Sequence, residues 1–389
     1  MTHAGVAIIG GGIVGSSAGY YLRKNGYTGR IIVFEKDPTY QRACTPLSWG
    51  GIRQQFSNAE NIHLSQFGLR LIRELKSEFG ADADVSFRDR GYLICATDKG
   101  IAVLEENLAL QKSMGTDTVI LRGNEMHRRF PYINFDGITA VSFGAKNEGW
   151  FDPYALLTLM RKGAIAKAVE YRAAEVTGLD LGSAQPVIIT SSGETITADH
   201  VVNAAGTSAG AIAALAGIDL PVSPAKRYGY VVDCPGATDG MRAGPAVFDI
   251  TGDYFRPEGR TFLASFTPDE ADEPKVKDWE MEESWFYDRV WPAMANRVPA
   301  FETLKLVSSW VGHYDYNWFD QNGIIGRHPV HQNFYFGNGF SGHGIQQGPA
   351  TGNAISELII HGEYRTIDLT RMGFERLLHN QPLFEKNIF

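Results

Sequence analysis

The chain has 389 residues, too many for one compact core, which predicts two domains. Hydrophobic residues make up 44% and charged residues 21%, the balance of a globular protein in water, and no apolar run reaches the length of a membrane span. A formal net charge of −8 argues against nucleic-acid or anionic-membrane partners, while three scattered cysteines, Cys44, Cys95 and Cys234, argue against a disulfide framework or a cysteine metal site and fit a reducing, cytoplasmic compartment.

The first element is the apolar run Val6-Ala7-Ile8-Ile9, of strand type. No basic region precedes it and glycines interrupt it, so it reads as a first strand and not a signal peptide. It feeds Gly10-Gly11-Gly12-Ile13-Val14-Gly15 and then a helix start of small residues. A second apolar run, 30–34, ends in Glu35, about twenty residues after Gly15. Together these form a dinucleotide-binding fingerprint. Gly10 allows the tight turn, Gly12 lets backbone approach a pyrophosphate, and Gly15 lets helix and strand pack closely. The helix start offers unpaired N–H groups and a positive dipole end. Glu35 can accept from a ribose hydroxyl and would repel a 2′-phosphate.

Residues 58–79 carry apolar side chains at helical spacing. A β-rich run follows at 90–97, then a second amphipathic helix over 99–114. Asp152 as N-cap and Pro153 at the first helical position start a helix through about 169. Strand signals are weak from there to Pro186, where 186–190 reads as a strand with a turn at Ser192-Gly193. The strand 200–206 ends in small residues and leads into an Ala-rich helix. From 220 to 326 short strands alternate with turns and aromatic density rises, the pattern of an antiparallel sheet with inserted helices. A last strand, 333–336, enters Gly339-Phe340-Ser341-Gly342-His343-Gly344, with a helix predicted over about 348–361.

These segments resemble the D-amino-acid oxidase-like family of FAD-dependent oxidoreductases, above all its sarcosine oxidase, dimethylglycine dehydrogenase and glycine oxidase branch. The resemblance covers nearly the whole chain. It rests on the first fingerprint, on Gly149-Trp150-Phe151-Asp152-Pro153, on Val202-Asn203-Ala204-Ala205-Gly206 and on 339–344; the run Gly50-Gly51-Ile52-Arg53-Gln54-Gln55-Phe56-Ser57 is similar to a less-studied FAD-dependent subgroup. It implies an α/β plus α+β fold: a Rossmann-like FAD-binding domain with an inserted antiparallel-sheet substrate domain. The first would be discontinuous over 1–85, 145–220 and 325–389, the second over 86–144 and 221–324.

The residues favour FAD over a nicotinamide cofactor on their own account. A second Gly-rich strand end at Gly339–344, opening a helix, can offer N–H groups to a flavin ring, and no second full fingerprint is present. With Gly10, Gly12, Ile13, Val14, Gly15 and Glu35, the cofactor-binding set is Lys36, Arg42, Ser48, Gly50, Gly51, Ile52, Val176, Ala205, Gly206, Gly339, Gly342, His343, Gly344, Ile345 and Gln346. Val176 would place its backbone at the adenine, and Arg42 and Ser48 would lie along the pyrophosphate and flavin loop, as the resemblance implies.

The resemblance further implies oxidation of a C–N bond in an amino acid or N-substituted amino acid. Hydride would go to flavin N5, the imine would be hydrolysed, and oxygen or a separate acceptor would take the electrons. A substrate carboxylate calls for a paired guanidinium. Arg53 and Arg256 are the candidates, with Tyr254, Tyr314, His313 and His343 as further site residues and Trp49 and Trp310 as flavin walls. The competing readings are a 2-hydroxy-acid dehydrogenase and a non-catalytic assembly flavoprotein. Monomeric sarcosine oxidases carry their covalent-flavin cysteine where this chain has Gly312, a substrate lysine where it has Ile345-Gln346, and an oxygen-activating lysine in the stretch 254–266, which here has none. Non-covalent FAD and slow oxygen use are expected. His328, His331 and His343 lack neighbouring carboxylates, so no metal is expected. The sequence leaves the oligomeric state open.

Overall fold

The computed structural model describes residues 2–268 and 278–386. Its first sheet is built around the strand Thr2–Ile9, which is buried along most of its length. That strand runs parallel to Ile31–Glu35 on one side and to Thr195–Asn203 on the other, with Ile9 level with Phe34 and with Asn203. The C-terminal half of Thr195–Asn203 also pairs in parallel with Phe334–Asn338. Parallel strands buried on both faces read as continuous apolar runs, which is what made the first strands visible in the sequence. Glu170–Ala173, Val176–Asp180, Val187–Thr190 and Ile324–Arg327 complete this sheet. The first two arise where strand signals are weak; their side chains are mostly half-exposed, so no apolar run marks them.

Three helices carry the site. Ile13–Lys24 follows the first strand, Ala59–Phe79 follows the segment containing Arg53, and Gly344–His361 follows Phe334–Asn338. The first and last pack with their backbones in close approach: a Cβ on Gly352 would come within 2.5 Å of Ser17 and Ala18. The last helix begins at Gly344, earlier than the expected 348, and Pro349 lies inside it. Pro349 has no N–H to offer the Ile345 carbonyl, so the ladder lacks that one bond near its start. Asp152 caps Pro153–Ala166 as expected, accepting from the amides of Tyr154 and Ala155.

The second sheet has eight strands, in the order Lys305–Asn317, Val222–Asp233, Thr261–Phe266, Asp253–Glu258, Ala246–Phe248, Tyr92–Ala96, Ala140–Gly144 and Thr118–Arg122. All neighbours are antiparallel except Ala246–Phe248 with Tyr92–Ala96. In the long outer pair, Arg227 lies opposite Gly312, Gly229 opposite Trp310 and Ala225 opposite Tyr314. Directly opposed residues share a face, so one side of this pair presents Arg227, Tyr314 and Trp310 together. A small third sheet joins Gly51–Ile52 and Arg88–Asp89 to Gly149–Trp150, tying the segment before Arg53 to the second sheet's neighbourhood.

Candidate functional site

Both Gly-rich strand ends open into one cavity of about 670 Å³. At its first end the three fingerprint glycines do different work. Gly10 has φ +101°, and a Cβ there would meet the Ala204 carbonyl at 2.3 Å. A Cβ on Gly15 would stand 1.9 Å from the Gly10 carbonyl oxygen, so Gly15 permits close packing and lies off the cavity wall. Gly12 lines the cavity, and a Cβ there would meet only Thr45 Oγ1, at 3.4 Å. The space over Gly12 is therefore a cradle that a side chain would fill, beside the first turn of Ile13–Lys24. Replacing Gly12 with valine should leave the fold intact and remove the cofactor. Purified protein should melt cooperatively near the wild-type temperature but lack flavin absorbance; yellow G12V protein would sink this reading.

Glu35 lines the same end. Its Oε2 accepts from the Gly11 amide at 2.8 Å and its Oε1 from the Asp37 amide at 2.9 Å, which fixes the carboxylate at the rim. Ile13, Val14, Lys36, Arg42, Ser48, Gly51, Ala205 and Gly206 are also on the wall. Val176 is not; the preceding Glu175 is, because Val176 turns its side chain into the core beneath the sheet. Gly50 and Ile52 shape the loop from behind: Gly50 has φ +67° and no room for a Cβ against the Phe151 carbonyl, and Ile52 is core.

At the second end, Gly342, His343, Gly344, Ile345 and Gln346 line the cavity, while Gly339, with φ +74°, packs against Val222 and Asn317. Gln347 donates to the His343 carbonyl and opens the helix ladder, so the amides of Gly344, Ile345 and Gln346 precede any intrahelical acceptor. Asp315 holds this loop, its Oδ2 accepting from Gly339 at 2.9 Å and Phe340 at 3.2 Å. Burial raises its carboxyl to about 6 against those backbone bonds. Two helix N-termini and a ribose-type acceptor around one elongated cavity fit a dinucleotide cofactor with a ring system at the Gly344 end.

Arg53 stands beside that end, 5% exposed. Its Nη1 donates to the Gln55 carbonyl at 2.6 Å, its Nη2 to His343 Nε2 at 3.0 Å, and its guanidinium lies over the Phe56 ring. Its backbone amide donates to Gln346 Oε1, which also accepts from Ser65. An arginine has no acceptor, so His343 must accept at Nε2 and carry its proton on Nδ1. Burial first, and the Arg53 charge second, hold His343 down to about 3, so it is neutral and unable to take a proton at the nitrogen facing Arg53.

Trp49, Tyr254, Phe248 and Tyr92 form a run of rings along the cavity, with centroids 4.8, 5.0 and 5.4 Å apart in that order. Tyr314 lines it with Trp310 and His313, and His313 packs edge-on against Trp279, which lies under Arg42. Arg256 does not reach the cavity. Its guanidinium donates to the Trp49 carbonyl and pairs with Glu258 between the rings of Trp49 and Trp150, so it braces the aromatic wall from outside. The residue that does reach it from this sheet is Arg227, buried, on the wall and 4.8 Å from the Tyr314 ring. The stretch 225–232 carries two adjacent cations, Lys226 and Arg227, and only the pairing across the sheet turns the second toward Tyr314 and Trp310; sequence reasoning passed over both.

Among the described residues, no group of three His, Cys, Asp or Glu side chains is arranged to hold a metal ion. His328 instead uses Nδ1 to accept from the amides of Val330 and His331. Nor, among those residues, is any helix long and apolar enough to cross a membrane. Residues 5–358 match the family model described as DAO, FAD dependent oxidoreductase. The chain is 39% identical to FAD-dependent oxidoreductase domain-containing protein 1 of Xenopus laevis, over 99% of this chain and 85% of that protein. It is 24% identical to human mitochondrial sarcosine dehydrogenase, over 92% of this chain and 40% of that protein. The solved L-proline dehydrogenase from P. horikoshii superposes with a TM-score of 0.87 at 25% identity, over 98% of this chain and 100% of that one.

Proposed function

Because this chain belongs to the DAO family of FAD-dependent oxidoreductases, we propose that it oxidises a C–N bond in a small amino acid or N-substituted amino acid. The observation that carries the reading is Arg53, a buried guanidinium on the wall of the cofactor cavity, tied to the start of the helix Gly344–His361. Relatives named for sarcosine and L-proline support the substrate class.

When bound, FAD supplies the two-electron acceptor for the hydride. The chain supplies alignment and a dry site. Arg53 receives the substrate carboxylate, and the rings of Trp49, Tyr92, Phe248 and Tyr254 receive its apolar part. The amine reacts as the neutral base: its lone pair forms the C=N bond as the α-hydrogen leaves with its electron pair. Water then adds to the imine and releases a carbonyl compound and an amine. Burial keeps the Tyr254 hydroxyl well above its ordinary range, so it packs and donates hydrogen bonds without acting as a phenolate. Electrons pass to oxygen or to a separate acceptor; with no lysine in 254–266, we favour the separate acceptor.

We take FAD to be held without a covalent bond. Gly312 has no side chain to attach, and Cys44, the one cysteine on the cavity wall among the described residues, lies at the nucleotide end beside Gly206, its thiol pushed up to about 12 by burial. Acid precipitation should leave the yellow colour in the supernatant; a coloured pellet overturns this. All three cysteines are unpaired, which fits a reducing compartment, for which we take the cytoplasm. An anaerobic screen tests the reaction. Flavin absorbance should bleach with small secondary amino acids and persist with 2-hydroxy acids. Bleaching by hydroxy acids alone would make the protein a hydroxy-acid dehydrogenase, and bleaching by neither would leave a flavoprotein that uses FAD to hold its fold.

A further inference from the structure

Glu148 does not line the cavity, yet its carboxyl is almost wholly buried, at 1% exposure. Its partners are amides. Oε1 accepts from the Gln54 backbone at 2.6 Å, and Oε2 accepts from the Gln55 side chain at 2.7 Å. The Gln55 amide also donates to the Tyr92 carbonyl at 3.0 Å, and its Oε1 accepts from Ser142. The Gln55 backbone carbonyl is in turn the acceptor for Arg53 Nη1. A carboxylate presents an acceptor atom to each of these two donors, where a carboxamide in the same place would turn its NH2 donor toward one of them.

We propose that Glu148 is a positioning residue for Arg53: by clamping Gln54 and Gln55 it fixes the carbonyl that aims the guanidinium into the cavity. Burial holds the Arg53 guanidinium below its ordinary range, against which the charge of Glu385 and, after it, that of Glu148 act; burial likewise pushes the Glu148 carboxyl up to about 7, against its bonds to Gln55 and Gln54 and the charge of Arg53. This inference rests on the reading of Arg53 as the carboxylate partner.

The test uses the FAD-loaded protein and two probes of one shape, benzoate and benzamide, titrated through the flavin spectrum. Glu148→Gln puts an amide donor against the Gln55 amide or the Gln54 N–H. It should weaken benzoate by about tenfold or more, since a displacement of a guanidinium by a fraction of an ångström is enough for that. Benzamide should stay within about twofold, being blind to the charge. Arg53→Ala is the reference. If Arg53→Ala leaves benzoate binding unchanged, or wild type gives no benzoate titration, the carboxylate reading fails and this inference with it. If Arg53→Ala weakens benzoate and Glu148→Gln does not, the inference alone fails. Equal weakening of both probes by Glu148→Gln means general loosening and also overturns it. Should Glu148→Gln not yield FAD-loaded protein, Ser142→Ala carries the test. It withdraws the bond to Gln55 Oε1 and should weaken benzoate alone by about threefold, and an unchanged affinity overturns the proposal.

Discussion

Replacing Arg53 with alanine should lower kcat/KM for an amino-acid substrate by about a hundredfold or more, since losing one side of a buried charge pair costs roughly 2–5 kcal/mol. The side chain cannot be swapped for a mere point charge. Its fork lies over the Phe56 ring and is held at both terminal nitrogens, by the Gln55 carbonyl and by His343. Arg53→Lys should therefore lose most of the effect as well, because an ammonium cannot reproduce a planar, two-nitrogen grip. FAD content should change little, since the link to the Gln346 side chain comes from the Arg53 backbone and survives either substitution. Stopped-flow reduction with the best substrate from the anaerobic screen reads the effect. Lost FAD with unaltered substrate preference in the remaining holoenzyme would assign Arg53 to the cofactor, and the carboxylate partner would then be Arg227 rather than Arg256, which the cavity excludes.

Glu35→Arg should strip the cofactor. The carboxylate sits on the cavity wall, anchored by the amides of Gly11 and Asp37, with lone pairs left to face a ribose. Each charge-assisted bond removed is worth roughly 1.5–3 kcal/mol, which is one to two decades of affinity. The arginine also leaves two backbone amides without their acceptor and places a bulky donor at the mouth. Flavin content after purification, and the Kd on reconstitution, measure the change. Unaltered content would show that Glu35 does not hold the cofactor.

The contrast between Glu35 and Arg256 tells what a linear sequence can carry. Glu35 is legible because its role is local: strand, turn, helix and acid follow within a few dozen residues, and buried parallel strands announce themselves as apolar runs. The glycines were legible for the same reason, since a positive φ or a contact with backbone leaves few alternatives. Arg256 and Arg227 are both buried arginines in strands of the same sheet, and nothing along the chain separates them. What separates them is what each side chain meets: Arg227 lies opposite Gly312 and on the cavity wall, and Arg256 meets Glu258 of its own strand and the rings of Trp49 and Trp150. The same holds for Glu148, whose partners lie nearly a hundred residues away in the chain. The last helix misled in the other direction: it was expected from about 348, but the Gly-rich loop opens it at Gly344.

The order of strands in the first sheet sets a schedule for the newborn chain. Thr2–Ile9 finds Ile31–Glu35 soon after it is made, but its other flank waits for Thr195–Asn203, and that strand's own flank waits for Phe334–Asn338. Closure over such separations is slow, and it leaves apolar strand edges open meanwhile. The second Gly-rich end, which would face the flavin ring, is made after the other walls of the cavity, so no earlier portion of the chain can form the whole of it. Cofactor capture therefore waits for the strand Phe334–Asn338 and the loop that follows it, and until then one flank of Thr195–Asn203 lacks its partner.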